Sequence, residues 1–360
     1  MNAQLPITTT PKYNFPFSEE NICLPQKFME LSISSLKKLQ PIQPFTESMA
    51  TSLSTTNTCT KYQKNCAPST KLFKLEPDRT DTSIVAIDVS SIKLGETKTG
   101  ILLAVRGAIV WKQADSYRYL RVGPFPFHAS EKNKDKIYNR LHQHSQVAHN
   151  QKLTTFNLQY IQTRLTTLLE RWIQASINQT TRNSLILWDG CLMAGTPETP
   201  TKTMAQLLAK ARTNGNVILA FSKMTRLFLF GHRITDLVWK HPPPCLVLIS
   251  NYSDRAGSMH LLGNLYVAKL TVGNCAFRLD VDKELAKMRA IEAVKKLLGN
   301  DLFQQSYPET LRLAHIFSTF TANEVLGLQR CIAKESNLKI ITRLNLRRLL
   351  FGRFGKGSDG

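Results

Sequence analysis

At 360 residues, with hydrophobic side chains at 42%, the chain has length and apolar content for one large domain or two ordinary ones around a buried core. Lys and Arg number 47 against 26 Asp and Glu; the net charge of +21 favours nucleic acid or an anionic membrane surface as partner, with solubility as the bland alternative. Seven scattered cysteines without a CxxC pair, no apolar run of transmembrane length and no GxxxxGK[ST] pattern argue against a zinc ribbon, a disulfide framework, a membrane span and a phosphate-binding P-loop.

Residues 1–78 are rich in Ser and Thr, and Pro6, Pro11, Pro16, Pro25, Pro41 and Pro44 interrupt them. That composition predicts a largely disordered segment, with one patch, Phe28 to Leu36, able to become helical against a partner. No basic-then-apolar signal precedes it. A cytoplasmic location is expected, with organelle targeting by the Ser/Thr-rich start left open. A globular texture begins near Thr82, and residues 79–338 are read as one domain.

The run Ser83-Ile84-Val85-Ala86-Ile87 predicts a strand ending at Asp88, and residues 100–111 predict one or two strands broken at Gly107. Residues 112–150 read as polar; His142, His144 and His149 lie there without metal-ligand spacing. Leu158, Ile161, Leu165, Leu168 and Trp172 recur at helical spacing, predicting a helix over residues 155–178. Leu185-Ile186-Leu187-Trp188 is a strand leading into Asp189, and residues 203–213 are helical. Val217 to Phe221 form a strand ending at Ser222-Lys223. Further strands are expected at residues 245–250, 265–270 and 275–280, and helices at 283–298 and 310–317. Strands alternating with helices imply an α/β domain built on a mixed sheet. Residues 339–360 form a basic tail in which Phe351 and Phe354 lie among Arg343, Arg347, Arg348 and Arg353.

The chemistry centres on Asp88 and Asp189. An α/β sheet places its reactive groups beyond the carboxyl ends of buried strands, and two carboxylates delivered this way converge on one cation. Each alone also fits a strand-end Asx-turn. Glu170 lies about 140° around its helix from Leu165, at the edge of the apolar face, where it either looks toward a sheet end or stays solvated. Lys223 could neutralise a phosphate. Tyr307 precedes a helix opened by Pro308, and His315 lies about two turns inside it, able to ligate a metal or shuttle a proton. Clustered carboxylates holding divalent cations on a basic surface suit phosphodiester hydrolysis.

These pieces, taken in order, resemble the NurA nuclease family. They are Ile87-Asp88-Val89-Ser90, Glu170, Trp188-Asp189-Gly190-Cys191-Leu192, Phe221-Ser222-Lys223, and Tyr307-Pro308 with Leu311 to His315. The resemblance covers about residues 80–335. It implies an RNase H-like core with helices flanking a mixed sheet. It further implies a Mn2+-dependent DNA nuclease, with Mg2+ the alternative metal, working as a homodimer with a HerA-like hexameric ATPase on DNA ends in repair. Asp88, Glu170, Asp189 and His315 would then be metal ligands, Tyr307 would lie near them, and Lys223 would share the site. Val89 stands where the family often has glycine, and Cys191 where it has Ser or Pro. The competing readings are a catalytically inactive DNA-binding adaptor of the same fold and a nuclease acting on RNA or branched DNA.

Overall fold

The apolar runs become the centre of one nine-stranded sheet. The computed structural model describes residues 23–37, 69–144, 156–196, 198–225, 227–252, 255–256 and 259–336. In chain order these give α1 (Cys23–Lys37), β1 (Ser69–Lys74), β2 (Ile84–Glu96), β3 (Ile101–Gln113), β4 (Ser116–Ala129), α2 (Lys134–His144) and α3 (Ile161–Thr180). Then follow β5 (Leu185–Asp189), α4 (Thr201–Thr213), β6 (Val217–Ser222), β7 (Cys245–Ser250), β8 (Gly263–Lys269) and β9 (Phe277–Asp282). Helices α5 (Lys287–Asn300), α6 (Glu309–Ser318) and α7 (Ala322–Ser336) complete the described chain.

The strand order is β1-β7-β8-β9-β6-β5-β2-β3-β4. Strands β2, β3 and β4 form an antiparallel meander, and β5 and β6 add to the other side of β2 in parallel. That five-strand block, an antiparallel trio followed by two parallel strands, is the RNase H-like arrangement; β9, β8, β7 and β1 extend it antiparallel.

Alternation sorts the central strands between two cores. Val85, Ile87, Ile186, Trp188, Ile218 and Ala220 face α1, α3 and α4; Ile84, Ala86, Leu185, Leu187, Val217, Leu219 and Phe221 face α5 and α6. Burial on both faces is why these strands read as unbroken apolar runs. Asp88 and Asp189 continue the second series, which places both on the α6 side.

Several expectations change. Strand β2 does not end at Asp88; it runs on to Glu96, because β3 pairs with it along its whole length while β5 stops at the Ile87–Trp188 pair. Residues 101–113 are one strand, and the Gly107 break is a register irregularity against β4. A Cβ at Gly107 would lie 2.4 Å from Ile173 of α3, so glycine lets the helix close on the sheet there. The polar stretch after residue 112 hides β4 and α2, whose apolar residues alternate with exposed ones. Helix α7 was also not foreseen.

Within residues 1–78, two stretches are regular. Helix α1 carries the Phe28–Leu36 patch, and its partner is this chain's own sheet: Leu24, Phe28 and Leu31 join the α3-side core. Strand β1 pairs with β7 at the sheet edge, so the sheet draws on residues before 79. Residues 1–22 and 38–68 of that segment, His149 and the basic tail lie outside the described residues. Among the described residues no helix is long and apolar enough to cross a membrane.

Phe28 is fully buried, with ring centroids 5.3 Å from Phe125 and 5.7 Å from Phe127. Phe28→Ala is expected to cost about 3–5 kcal/mol of stability, the usual price of an emptied aromatic site. Urea denaturation checks it; a loss below about 1 kcal/mol would mean that α1 contributes little to the fold.

Candidate metal centre

The parallel register of β2 and β5 sets Ile87 beside Trp188, so Asp88 and Asp189 follow as neighbours on adjacent strands. Asp189 ends β5, and Gly190 after it takes a φ of 128°, a conformation that L side chains rarely adopt. The Gly190 amide donates to the Phe221 carbonyl, and the Ser222 hydroxyl donates to the Gly190 carbonyl, each at 2.7 Å, tying the turn to the end of β6. Asp88 lies mid-strand, where β2 has lost β5 as a neighbour and α6 packs over it.

Helix α6 brings two groups to Asp88. His315 Nδ1 lies 3.1 Å from Asp88 Oδ2 and 4.0 Å from Asp189 Oδ2. The Ser318 hydroxyl, one turn on, donates to the same Asp88 oxygen. Asp88, Asp189 and His315 each offer one ligand atom, and those atoms all lie within 4.8 Å of one another. Lys223, just past β6, places Nζ 2.5 Å from Asp189 Oδ2 and 5.5 Å from the centre of the Tyr307 ring. Tyr307 is buried, and among the described residues its hydroxyl meets no hydrogen-bond partner.

Glu170 stands apart from that triad. It belongs to α3, which packs on the opposite face of the sheet, and its carboxylate accepts from Gln174 at 3.0 Å. It is still close enough to feel both aspartates. Burial, with their negative charges adding and Arg171 opposing, raises its pKa above the ordinary glutamate value. His142 is buried near Tyr138, away from this cluster, and its pKa is lowered by burial.

The electrostatics are those of crowded anions. Burial opposes ionisation of Asp88, but hydrogen bonds from His315 and Ser318 outweigh it and lower its pKa. Asp189 goes the other way: burial raises it, Lys223 pulls it back and the Asp88 charge pushes it up, leaving it above the usual carboxylate range. Burial, then Asp189 and Asp88, pushes the Tyr307 hydroxyl up as well, so it stays a donor. Two carboxylate oxygens and an imidazole nitrogen, in a pocket where negative charges disfavour one another, fit a divalent cation that accepts mixed oxygen and nitrogen ligands.

Val89 is no obstacle. It sits in continuous strand rather than a turn and packs on the other face, so glycine is not required there. Cys191 is partly buried in the turn after Asp189.

Other supporting residues escaped the sequence reading. Ser318 is one; its only signal is a spacing of three from His315. On β9, the Arg278 guanidinium grips Asp280 at 2.8 and 2.7 Å, and Asp280 Oδ2 accepts from the Leu192 amide at 3.0 Å, pinning the turn that carries Asp189. Charged residues alternating inside an apolar strand were the available sign. Asp301 accepts from the Thr310 amide at 3.1 Å and from the Tyr117 hydroxyl at 2.9 Å, fixing the start of α6.

No family model matches the chain, and no curated protein matches it. Among solved structures it is similar to the NurA nuclease from Sulfolobus solfataricus, with 15% identity and a TM-score of 0.44 over 73% of this chain and 88% of that one. It is also similar to endonuclease V from Bacillus subtilis, with 11% identity and a TM-score of 0.32 over 73% and 86% of the two chains. A third is endonuclease V from Ciona intestinalis in complex with inosine-containing DNA, with 9% identity and a TM-score of 0.33 over 71% and 92%. The functional reading rests on the geometry of the site.

Two outcomes follow from that geometry. Ser318→Ala removes a donor that orients Asp88 and is expected to weaken divalent-cation binding about tenfold, as lost outer-shell partners do; titration calorimetry measures it. Lys223→Met removes the charge that lowers the Asp189 pKa. A proton then competes for Asp189 to higher pH, and the midpoint of divalent-cation affinity against pH moves upward. An unmoved midpoint would mean that Lys223 does not control Asp189.

Proposed function

We propose that the chain is a metal-dependent deoxyribonuclease that processes DNA ends. The observation that carries the reading is the convergence of Asp88, Asp189 and His315 from three separate elements onto one point of an RNase H-like sheet. The donor set suits Mn2+, with Mg2+ as the alternative, since an imidazole nitrogen favours the softer ion. When bound, the cation supplies an activated water and neutralises charge on the scissile phosphate.

The chain's own residues do the rest. Asp88 is held ionised by His315 and Ser318 and fixes the position of the centre. Lys223 offers a positive charge beside Asp189, placed to meet a phosphate oxygen. Tyr307, buried and held protonated, backs the Lys223 ammonium with its ring. Glu170, bonded to Gln174 on α3 and within the field of both aspartates, borders the centre from the other helix layer. A net charge of +21 holds the polyanion. On this reading the protein is a homodimer that works with a HerA-like translocating ATPase in DNA repair in the cytoplasm, with residues 79–338 as the nuclease domain.

The test is Mn2+-dependent cleavage of labelled single-stranded and blunt-ended DNA. Asp88→Asn and Asp189→Asn are each expected to lower the rate on the order of 10³-fold, roughly 4 kcal/mol of transition-state stabilisation, while DNA binding persists. Equal activity in wild type and both variants would overturn the assignment. DNA binding without any wild-type cleavage would identify the adaptor.

A further inference from the structure

Lys223 opens a segment whose chemistry the metal centre does not use. Five residues on, Phe228–Leu229 pairs antiparallel with His232–Arg233, and only Phe230 and Gly231 connect them. Both connecting residues have positive φ, 52° and 81°, the signature of a type I′ turn. That turn favours Asn-Gly, so a phenylalanine at its first position is strained and uncommon. Among the described residues the ring buries little, since Phe230 is 69% exposed.

The hairpin is nonetheless firmly seated. Leu229 and Ile234 are buried in an apolar cluster with Val238, Cys245 and Val267, and the Ile234 amide donates to the Leu227 carbonyl at 3.1 Å. Anchored residues face inward. Phe228 and its cross-strand partner Arg233 are both exposed, an aromatic and a cationic residue at one register position. Across residues 223–240 the sequence carries Lys223, Arg226, Arg233 and Lys240 against Asp236 alone, and Asp236 accepts from the Trp239 indole at 3.2 Å.

We propose that the 228–233 hairpin is a stacking platform for the bases of a single-stranded polynucleotide on its way to the metal centre; this rests on the nuclease reading above. Aromatic faces with interleaved cations suit bases and phosphates together, and each stacked base contributes about 1–3 kcal/mol. A protein partner fits less well. A stable protein interface needs about 800 Å² from each side, far more than a two-residue tip presents. Seven residues separate Phe230 from Lys223, at most about 25 Å of extended chain, and Lys223 is paired with Asp189, so one short run of nucleotides can reach from the platform to the metal centre.

Phe230→Asn tests it, because asparagine accepts the left-handed backbone and keeps the turn while removing the ring. Binding to labelled oligothymidylate is measured in EDTA, where no cleavage occurs. The affinity is expected to fall about tenfold, with duplex binding unchanged and Tm equal or higher. Phe228→Ala added to it should deepen the single-strand loss. Wild-type affinity in both variants would overturn the proposal. So would a loss that sedimentation traces to dissociation of self-associated protein, which would make the hairpin an interface between copies. Cleavage with Mn2+, run on the same proteins, separates the two readings. A binding loss in Phe230→Asn, with a wild-type chain that never cleaves DNA, overturns the nuclease assignment and keeps the platform; unchanged binding in the variant with intact cleavage overturns the platform alone.

Discussion

Like charge held in place by strand register governs this molecule. The pairing of Ile87 with Trp188 leaves Asp88 and Asp189 no choice but adjacent strands and the same face. Unit charges about 5 Å apart repel by roughly 3 kcal/mol at an effective dielectric of 20. The backbone cannot relieve this, because β5 and β6 are buried on both sides and their pairing is fixed. Relief has to come from what surrounds the two carboxylates. His315 and Ser318 satisfy Asp88 and Lys223 pairs with Asp189; burial, with the like charges adding to it, raises the pKa values of Asp189 and Glu170.

Helix α6 is therefore more than packing. Its apolar side, Leu311 and Ala314, is buried against the sheet, which fixes the turn that presents His315 and Ser318 to Asp88. Its start is held by Asp301, itself bonded to Tyr117 at the far end of the β3–β4 hairpin. Its end is held where Ser90 meets Ser318 at 2.9 Å. Beyond it, Arg106 reaches Glu324 at 3.1 Å, with its guanidinium over the Phe320 ring, and keeps α7 on the same face. A helix clamped at both ends can hold an imidazole near two carboxylates without drifting.

What the sequence made legible follows from range. Strands buried on both faces announce themselves as apolar runs, so β5, β6 and β7 were readable, and Asp189 with them. The start of α6 was readable because Pro308 opens a helix. Strand β4 was not, since one of its faces is polar and its run reads like a loop. Asp88 was placed at a strand end because Ser90 and Ser91 follow it, yet pairing with β3 carries β2 on through them. The Phe28–Leu36 patch was legible as a conditional helix, but the Ser, Thr and Pro around it hid its partner, which contact with Phe125 and Phe127 supplies from within the chain. Ser318 and Asp280 act across 230 and 88 residues of sequence, and local pattern is silent at that distance.

Glu170 shows how the two faces of the sheet are coupled. It sits on α3, opposite α6, and the negative charges of Asp88 and Asp189 help keep its carboxyl pKa high. A divalent cation held by those aspartates and His315 would cancel the charges that oppose its ionisation. Glu170 would then release its proton more readily, so cation uptake and proton release become linked. The ordinary rule that buried carboxylates should be separated is broken here in two adjacent strands, and the break is what couples them. A scaffold with no cation to hold would be more stable with either aspartate replaced.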